Sequence, residues 1–266
     1  MFNGGGAEII VATSADRVLS ILALFGGDRP VWTVEDAAEE LGLPTSTAYR
    51  YFKSLAQAEL LSKHLSGHYV LGPAVCALDR AMRLHDPFIN AARAEMERLA
   101  SDNPDTIILL TRLYKNTVMC VHREGEGLSA HGYERGRPMP LHKGAASKVI
   151  LAHLIPRQLR DLTAADHHAG GIDLDSLQDE LRKIRAQGYA ITHGEIDPGI
   201  VGVSVPVFRA QQALEGSLSF VLDGAQKIDR DAKIEALIRS RKTIEANLLV
   251  AGLLSADKTG ASHEAG

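Results

Sequence analysis

One stretch of the chain, residues 41–60, places hydroxyl, aromatic and cationic side chains at helical spacing. In its sequence, LGLPTSTAYRYFKSLAQAEL, the residues Ser46, Tyr49, Arg50 and Lys53 recur at positions i, i+3, i+4 and i+7. A helix would carry all four on one face. Its first turn would also present unpaired backbone N–H groups, which bind anions. Such a face can hold phosphate groups while a tyrosine and an arginine reach base edges in a DNA major groove.

The elements around this stretch complete a known DNA-binding arrangement. A short helix that Thr33 caps precedes it, the tight turn LGLP joins the two, and the hairpin LLSKHLSGHYVLG follows. Helix, turn, helix and hairpin in this order predict a winged helix-turn-helix. An ordinary solvated helix face is the alternative, and the order of the elements favours DNA binding. The predicted inward stripe is Ala48, Tyr51, Phe52 and Leu55. The predicted DNA-binding residues are Thr33, Thr45, Ser46, Thr47, Tyr49, Arg50, Lys53, His64 and His68.

The charge of this region argues against DNA binding. Residues 1–80 carry six Lys and Arg residues against nine Asp and Glu residues. The acids cluster at Glu35, Asp36, Glu39 and Glu40, on the helix before the turn. We expect that helix to hold its carboxylates away from DNA, because phosphates repel them.

Length and composition bound the class of protein. The chain has 266 residues, 45% of them apolar, which favours two globular domains. Its formal net charge of −4 means that any nucleic-acid surface is local. Two cysteines are too few for a disulfide framework and indicate a reducing compartment. The first residues lack the positive region of a signal peptide, and the apolar stretches are too short to span a bilayer. We expect a cytoplasmic protein with no membrane partner.

Hydrophobic periodicity and turn signals organise the chain as an α+β protein in two domains. Ser14 is expected to cap the first helix, over 15–25. In the second domain, a strand is predicted over 129–133 and a last helix over 228–254. The predicted divisions are a flexible N-terminus at 1–13, the winged helix-turn-helix at 14–73, a linker helix at 74–86, an α/β domain at 87–254 and a disordered tail at 255–266.

Small residues mark a candidate ligand site in the second domain. The segment 144–147 supplies small side chains at a predicted helix N-terminus, where a ligand can approach bare N–H groups. On the following strands, Gly202 and Ser204 share one face, and so do Ser217 and Ser219. Small hydroxyl residues leave space and offer hydrogen bonds. For any single residue, tight packing of a helix on a sheet is the alternative explanation.

Several segments resemble, in order, the IclR family of transcriptional regulators. The first are ADRVLSILALF, TVEDAAEELGLPTSTAYRYFKSLAQAELL and YVLG, which are similar to the winged helix-turn-helix of that family. Downstream, RGRPMPLHKGAASKVILAHL and GYAITHGEIDPGIVGVSVPVF resemble two blocks of its second domain. The chain departs from the pattern at Ser147, where glycine is usual, and at Gly202, where many members have cysteine. The resemblance covers Ser14 to Leu254 and implies a GAF-like effector-binding domain and dimers or tetramers on DNA.

The resemblance and the small residues together predict an effector cavity. A helix start favours a carboxylate, and Gly202 in place of a bulkier residue leaves room for a ring. A small aromatic acid is the first expectation, and a short oxo- or hydroxy-acid is the second. His142 and Lys143 flank the turn and could add charge-assisted hydrogen bonds. The predicted effector-binding residues are His142, Gly144, Ala145, Ser147, Glu195, Ile200, Gly202, Ser204, Ser217 and Ser219.

An enzyme is the alternative class, either a small-molecule-binding hydrolase or a metal-dependent enzyme that uses the histidines His122, His131, His142 and His193. No HExxH zinc motif and no GxSxG nucleophile elbow occurs, and Cys120 has no helix start to activate it. The segment DHHAGGID is expected to be a surface loop. A ligand sensor without DNA activity is a third class, which the hydroxyl-rich helix argues against. We expect no cofactor and no metal ion.

These expectations combine into one hypothesis. A homodimer or homotetramer binds a palindromic double-stranded DNA operator of a catabolic operon and responds to a small organic acid, as activator or repressor. A winged helix with few cations binds weakly alone, so two copies on two half-sites gain from linkage. The linker stripe Val75, Leu78, Ala81 and Met82 has little local core to cover it, and we expect a partner chain there.

Overall fold

The structure is a computed structural model that describes residues 13–26, 29–126, 133–168 and 173–261. The helix ends at 164–168 and 253–261 are described by their backbone alone. Of the N-terminus predicted to be flexible, only Thr13 falls within the described residues. The chain divides after Leu84 into two compact units. Each unit has its own apolar core.

The first unit consists of three short helices, a hairpin and a fourth helix. Its elements are α1 (Ser14–Leu24), α2 (Val34–Glu40), α3 (Thr45–Gln57), β1 (Leu61–Lys63), β2 (Tyr69–Leu71) and α4 (Pro73–His85). The two strands pair antiparallel. This element order confirms the predicted helix-turn-helix with a hairpin wing.

Capping threonines begin the first two helices. The Thr13 hydroxyl accepts a hydrogen bond from the Asp16 N–H at 3.2 Å, and the Asp16 carboxylate accepts one from the Thr13 N–H at 2.8 Å. This reciprocal pair is a capping box, so the predicted cap at Ser14 is wrong by one residue. The Thr33 hydroxyl accepts from the Asp36 N–H at 3.1 Å and begins α2.

The core of the first unit fixes the orientation of α3. The four residues of the predicted inward stripe of α3 are all buried: Ala48, Tyr51, Phe52 and Leu55. They pack with Ile21 of α1 and with Trp32, which pairs with Tyr69 of the hairpin through backbone hydrogen bonds. Because this stripe is inside, the opposite face of α3 is turned outward.

Helix α4 has apolar side chains that the first unit does not cover. None of its residues is buried, and Leu78 and Met82 are 63% and 47% exposed. Ala81 is also exposed, and Val75 is half-buried. The apolar stripe predicted on this helix therefore has no cover within the unit to which it belongs.

Over its described residues, the second unit is a six-stranded antiparallel sheet with helices on both faces. Its elements are α5 (Pro87–Asp102), β3 (Ile107–Tyr114), β4 (Thr117–Glu124), β5 (Pro138–Met139), α6 (Ala145–His153), α7 (Pro156–His168), α8 (Leu174–Gln187), β6 (Ala190–His193), β7 (Ile200–Phe208), β8 (Leu214–Asp223) and α9 (Arg230–Ala261). The strand order is β5-β4-β3-β8-β7-β6, and each neighbouring pair is antiparallel. Mixed helices and strands confirm the predicted α+β class.

Side chains that alternate along the strands divide the interior between two layers. On one face, Ile108 and Val203 pack with Phe88 in the layer formed by α5 and α9. On the other face, α6 and α8 pack through Val149 and Leu181. Covering both faces requires strands that are nearly continuously apolar, and β7 and β8 are buried along most of their length.

Several elements differ from the predictions. The segment before 169 forms α7, so the two histidines of DHHAGGID end a helix rather than lie in a loop. The predicted strand over 129–133 lies outside the described residues except for Tyr133, which is not in a strand. Helix α9 continues to Ala261, into the segment expected to be disordered, because a long helix propagates readily through residues of mixed polarity. The last five residues lie outside those described.

A charged cluster holds the start of the second unit onto its sheet. Asp86 caps α5 by accepting from the N–H groups of Phe88 and Ile89 at 2.9 and 3.1 Å. Arg112 of β3 donates to Asp86 and to Glu215 of β8, each at 2.5 Å. Burial opposes ionisation of Asp86, but the guanidinium and the two N–H groups outweigh it and hold its pKa below the usual value.

Candidate functional site

The outward face of α3 carries the polar side chains that the sequence placed there. Ser46, Tyr49, Arg50 and Lys53 are all exposed, and so is Thr45. The helix begins after Pro44 without a side-chain cap, so its first N–H groups remain available to an anion. The third hydroxyl residue of the segment 45–47, Thr47, is half-buried.

The two cations of this face are not neutralised within the described residues. Neither the Arg50 guanidinium nor the Lys53 ammonium makes an ion pair with a described carboxylate. In contrast, Arg29 pairs with Asp36 on α2. A cation without a protein partner retains its full attraction for phosphate, so α3 is the basic element of this surface.

One carboxylate lies beside this face, contrary to expectation. Glu35, in the first turn of α2, accepts a hydrogen bond from the Tyr49 hydroxyl at 2.7 Å. The prediction that the acids of α2 all turn away from the recognition face is therefore wrong for Glu35. The bond to Tyr49, and next a hydrogen bond from the backbone N–H of Glu35 itself, hold the pKa of Glu35 below its usual value and keep it ionised.

The remaining predicted DNA contacts lie at the edges of this surface. Thr33 is partly buried as the cap of α2. In the wing, the His64 N–H donates to the His68 carbonyl at 2.7 Å, and the chain turns through Ser66, whose φ of 60° is left-handed. His64 is exposed and His68 is half-buried. The short wing therefore offers imidazole side chains rather than the cations of α3.

In the second unit, a small cavity with a water-accessible volume of about 40 Å³ opens beside the start of α6. Strands β7 and β8 form one wall, and the loop between β6 and β7 covers it. Seven predicted effector residues line it: Gly144, Ala145, Glu195, Ile200, Gly202, Ser204 and Ser219. Ala146, which belongs to the predicted segment 144–147, and Asp197, beside the predicted Glu195, line it too. The sequence did not indicate the other lining residues, Leu109, Tyr133, Met139, Thr192, Ile196, Phe220 and Val221.

Three predicted effector residues do not line the cavity. Ser217 lies behind α6, where its hydroxyl is 2.6 Å from that of Thr111 and donates to the Ala146 carbonyl at 3.5 Å. Ser147 is buried, and its hydroxyl has no partner within the described part of the chain. His142 is half-buried in the turn before α6, outside the cavity lining.

The helix start at Gly144 already holds a carboxylate of the protein. The Gly144 N–H donates to Glu195 at 2.9 Å, and the other oxygen of Glu195 accepts from Lys148 at 2.7 Å. Lys148 also donates to Glu180 of α8 at 2.7 Å. Burial opposes a charge on Lys148, but the two carboxylates outweigh it and raise its pKa. The expectation that Gly144 is free to bind a ligand anion is therefore wrong.

The next two N–H groups of α6 remain available. No acceptor among the described residues contacts the N–H groups of Ala145 and Ala146, which line the cavity. Across the cavity, the Ser204 hydroxyl donates to the Ser219 hydroxyl at 2.6 Å. Ser219 accepts this bond, and no acceptor of its own proton is found among the described contacts. Three residues of the lining thus carry a donor that no described group accepts from.

Gly202 does not leave room for a ring. A Cβ at this position would lie 3.1 Å from the Thr192 hydroxyl oxygen and 3.3 Å from the Ala145 Cβ. The glycine permits α6 to approach β7 closely, which was the alternative explanation in the sequence. At Gly144, where φ is +83°, a Cβ would meet the Ile196 side chain at 2.5 Å, so the loop also packs closely on the helix start.

A second carboxylate of the same loop lies near Tyr133 and Arg137. Asp197 is 3.9 Å from the Arg137 guanidinium. Burial, and next the nearby Asp197 carboxylate, raise the pKa of Tyr133, so its hydroxyl remains neutral. The loop thus brings both Glu195 and Asp197 to the lining of the cavity.

The features expected of an enzyme are not found in the described residues. No group of histidine, cysteine or acidic side chains there has the arrangement of a metal site. Burial raises the pKa of Cys120 to about 12, which keeps the thiol protonated and unreactive. His122 bonds to Glu124 at 2.8 Å, and His131 lies outside the described residues. No described helix is both long enough and apolar enough to cross a membrane.

Comparisons with known proteins bear on both units. The family model described as the IclR helix-turn-helix domain matches residues 14–64. The model described as the bacterial transcriptional regulator IclR C-terminal matches residues 84–243. Together they cover most of the chain.

Individual relatives carry the same description. The probable HTH-type transcriptional regulator ArcR of Halobacterium salinarum is 26% identical over 196 residues, which are 70% of this chain and 74% of the relative. The crystal structure of an IclR transcriptional regulator from Alicyclobacillus acidocaldarius is 26% identical with a TM-score of 0.72, covering 88% of this chain and 98% of that one. An IclR homolog from Microbacterium hydrocarbonoxydans, complexed with 4-hydroxybenzoate, shares the fold with a TM-score of 0.70 at 22% identity, covering 89% and 99%.

The predicted class is thereby confirmed, and the enzyme alternative is excluded by the family rather than by any missing group. The chain belongs to the IclR family of DNA-binding transcriptional regulators.

Proposed function

We propose that the protein regulates a catabolic operon in the cytoplasm by binding a palindromic operator through the outward face of α3. The observation that supports this is the pair Arg50 and Lys53, which are exposed and not paired with any carboxylate that the structure describes, on the helix that starts without a side-chain cap. In this proposal Arg50 and Tyr49 contact bases. The hydroxyls of α3, Lys53, Thr33 and the two wing histidines contact the backbone.

We further propose that the cavity beside α6 binds a small organic acid, with an aromatic acid as the first candidate. The N–H groups of Ala145 and Ala146 can receive a carboxylate, and the Ser219 hydroxyl can meet its polar edge. Leu109, Phe220 and other apolar residues of the lining suit a ring. The Microbacterium homolog is complexed with an acid of this kind, 4-hydroxybenzoate.

The charges around the cavity are compatible with an anion. Glu195 would repel a ligand carboxylate, but it accepts from the Gly144 N–H and from Lys148, a cation that it shares with Glu180. Asp197 lies 3.9 Å from Arg137. Each carboxylate thus has a cation of the protein within 4 Å that reduces its repulsion of an anion, and the N-terminus of α6 attracts one.

Thermal unfolding of the full chain with 4-hydroxybenzoate and with its neutral amide tests the effector proposal. The acid is expected to raise the melting temperature as its concentration increases, because it binds only the folded state. The amide is expected to leave the melting temperature unchanged. Ser219→Ala should weaken the affinity by up to about tenfold, the upper end for one hydrogen bond between neutral groups. Ser176→Ala, an exposed serine of α8, is the matched control. Equal stabilisation by the amide, or equal affinity of the two variants, would contradict the proposal.

We propose that the protein is a homodimer or homotetramer. The support is the uncovered stripe of α4, in which Leu78 and Met82 are largely exposed, and the weak binding expected of a single half-site. Light scattering of the full chain at micromolar concentration should give at least twice the chain mass. A stable monomer under these conditions would contradict the proposal.

A further inference from the structure

We infer that Glu35 and Tyr49 form one recognition unit that selects cytosine on the operator strand that α3 faces. This inference rests on the proposed operator binding by α3 and specifies what the helix reads. It concerns a residue of α2 that the sequence pattern placed away from DNA.

The position of the pair makes it part of the recognition surface. Tyr49 lies on the outward face of α3 and is 52% exposed. Its hydroxyl reaches 2.7 Å from the Glu35 carboxylate, which is itself exposed at the start of α2. Both groups thus lie where the major groove would meet the motif.

Counting protons fixes what the pair can offer to a base. The tyrosine hydroxyl has one proton, and it donates that proton to Glu35. The phenol oxygen and both carboxylate oxygens then have only lone pairs available. The pair therefore accepts hydrogen bonds and donates none.

Neighbouring groups leave the carboxylate charged. Arg29 pairs with Asp36, the adjacent residue, and not with Glu35 among the described contacts. The N-terminus of α2 favours a negative charge in its first turn. An ionised acceptor bound to a tyrosine is the stable state of this surface in the absence of DNA.

Only one base has a major-groove edge that suits a surface consisting entirely of hydrogen-bond acceptors. In the major groove guanine offers two acceptors and thymine offers one, so both would face the pair with lone pairs opposed. Adenine places an acceptor, N7, beside its amino group. Cytosine offers its N4 amino group alone, and acidic side chains accept from it. The chemistry of the pair therefore favours cytosine.

The carboxylate also explains how a domain whose acidic residues outnumber its basic ones can remain selective. Glu35 repels phosphate, so it lowers the affinity for any DNA site that offers no amino group to accept from. Arg50 and Lys53 attract all DNA alike by their charge. Together they make binding depend on the matching base rather than on charge alone.

Selection of binding sites by the full chain from a random duplex library tests the inference. The wild type should select a motif with cytosine at one position of each half-site. Glu35→Gln and Tyr49→Phe should both relax that same position, lowering the cytosine preference about tenfold. Their combination should do no more than either alone, because they remove one unit. Glu35→Gln should also raise affinity for unrelated DNA.

Glu39→Gln, which changes an exposed acid on the same helix, is the control and should leave the selected motif unchanged.

Three outcomes would overturn the inference. The two variants could retain the wild-type motif, could relax different positions, or could relax a position at which the wild type prefers guanine or thymine. In each case operator binding by α3 would stand and only the role of Glu35 would fall. If the folded wild type selects no motif at all, the operator proposal fails, and the inference fails with it.

Discussion

The two units differ in whether their principal cations are paired with carboxylates of the protein. In the first unit, Arg50 and Lys53 are exposed on α3 without a described carboxylate partner. In the second, Lys148 and Arg112 each donate to two carboxylates and are largely withdrawn from water. DNA brings its own negative charge to an exposed cation, whereas a buried cation requires partners within the fold. The comparison therefore separates cations that bind from cations that hold the structure.

The largest expected effect tests the structural half of this comparison. Lys148→Met removes the centre of a buried cluster and leaves Glu180 and Glu195 facing each other. We expect the free energy of unfolding to fall by about 2–3 kcal/mol, somewhat less than for a fully buried pair because both carboxylates retain contact with water. Lys183→Met, an exposed lysine of α8, is the control. Denaturant titration measures both, and an equal loss in the two variants would remove the distinction.

The second expected effect tests the binding half. Arg50→Ala should cost about 1–3 kcal/mol of specific operator binding and relax the preference at one base pair. Its free energy of unfolding should change by less than about 0.5 kcal/mol, since the side chain is exposed. Lys53→Ala should weaken all sequences alike and lower the salt slope of binding by about one. Titration of labelled operator at several salt concentrations separates them. Operator affinity of Arg50→Ala equal to wild type would refute the assignment of α3.

The smallest expected effect concerns pH. The pKa of Asp86 is depressed in the folded state, so its contribution to stability is present above the ordinary aspartate pKa and is lost as pH falls through the folded value. At pH 7, Asp86→Asn should lower the free energy of unfolding by about 1 kcal/mol, through the weakened cap and the lost pair with Arg112. That difference should shrink as pH falls below about 4. A difference that stays constant down to pH 3 would show that the charge contributes nothing.

The sequence predicted best what is local. The first helix, predicted over 15–25, spans Ser14–Leu24, and the last helix, predicted from 228, begins at Arg230, because periodicity and turn residues act locally. Helix α7 was not predicted because it has few apolar positions, and two of them, Leu159 and Leu162, are only partly buried. The cap of α1 was displaced by one residue because Thr13 and Ser14 both have a capping hydroxyl.

The sequence predicted least what depends on distant pairing. Glu35 and Tyr49 are 14 residues apart, and their contact depends on how α2 and α3 cross. Lys148 meets Glu180 and Glu195 from 32 and 47 residues away. Seven of the effector residues predicted with the help of family motifs line one cavity. Neither motif nor spacing indicated that the Glu195 carboxylate occupies the N-terminus of α6, or that Ala145 packs against Gly202.

The strand order of the second unit has a consequence for how the chain is made. Thr111 of β3 and Ser217 of β8 are hydrogen-bonded neighbours, yet 106 residues separate them. At about 5–20 residues per second, β8 leaves the ribosome roughly 5 to 20 s after β3. The first unit, whose contacts are local, can fold within that interval. During the same interval, the edge of β3 that pairs with β8 has no hydrogen-bonding partner. A nascent chain stalled before 214 should therefore carry a folded helix-turn-helix and depend on chaperones to keep its unfinished sheet from aggregating.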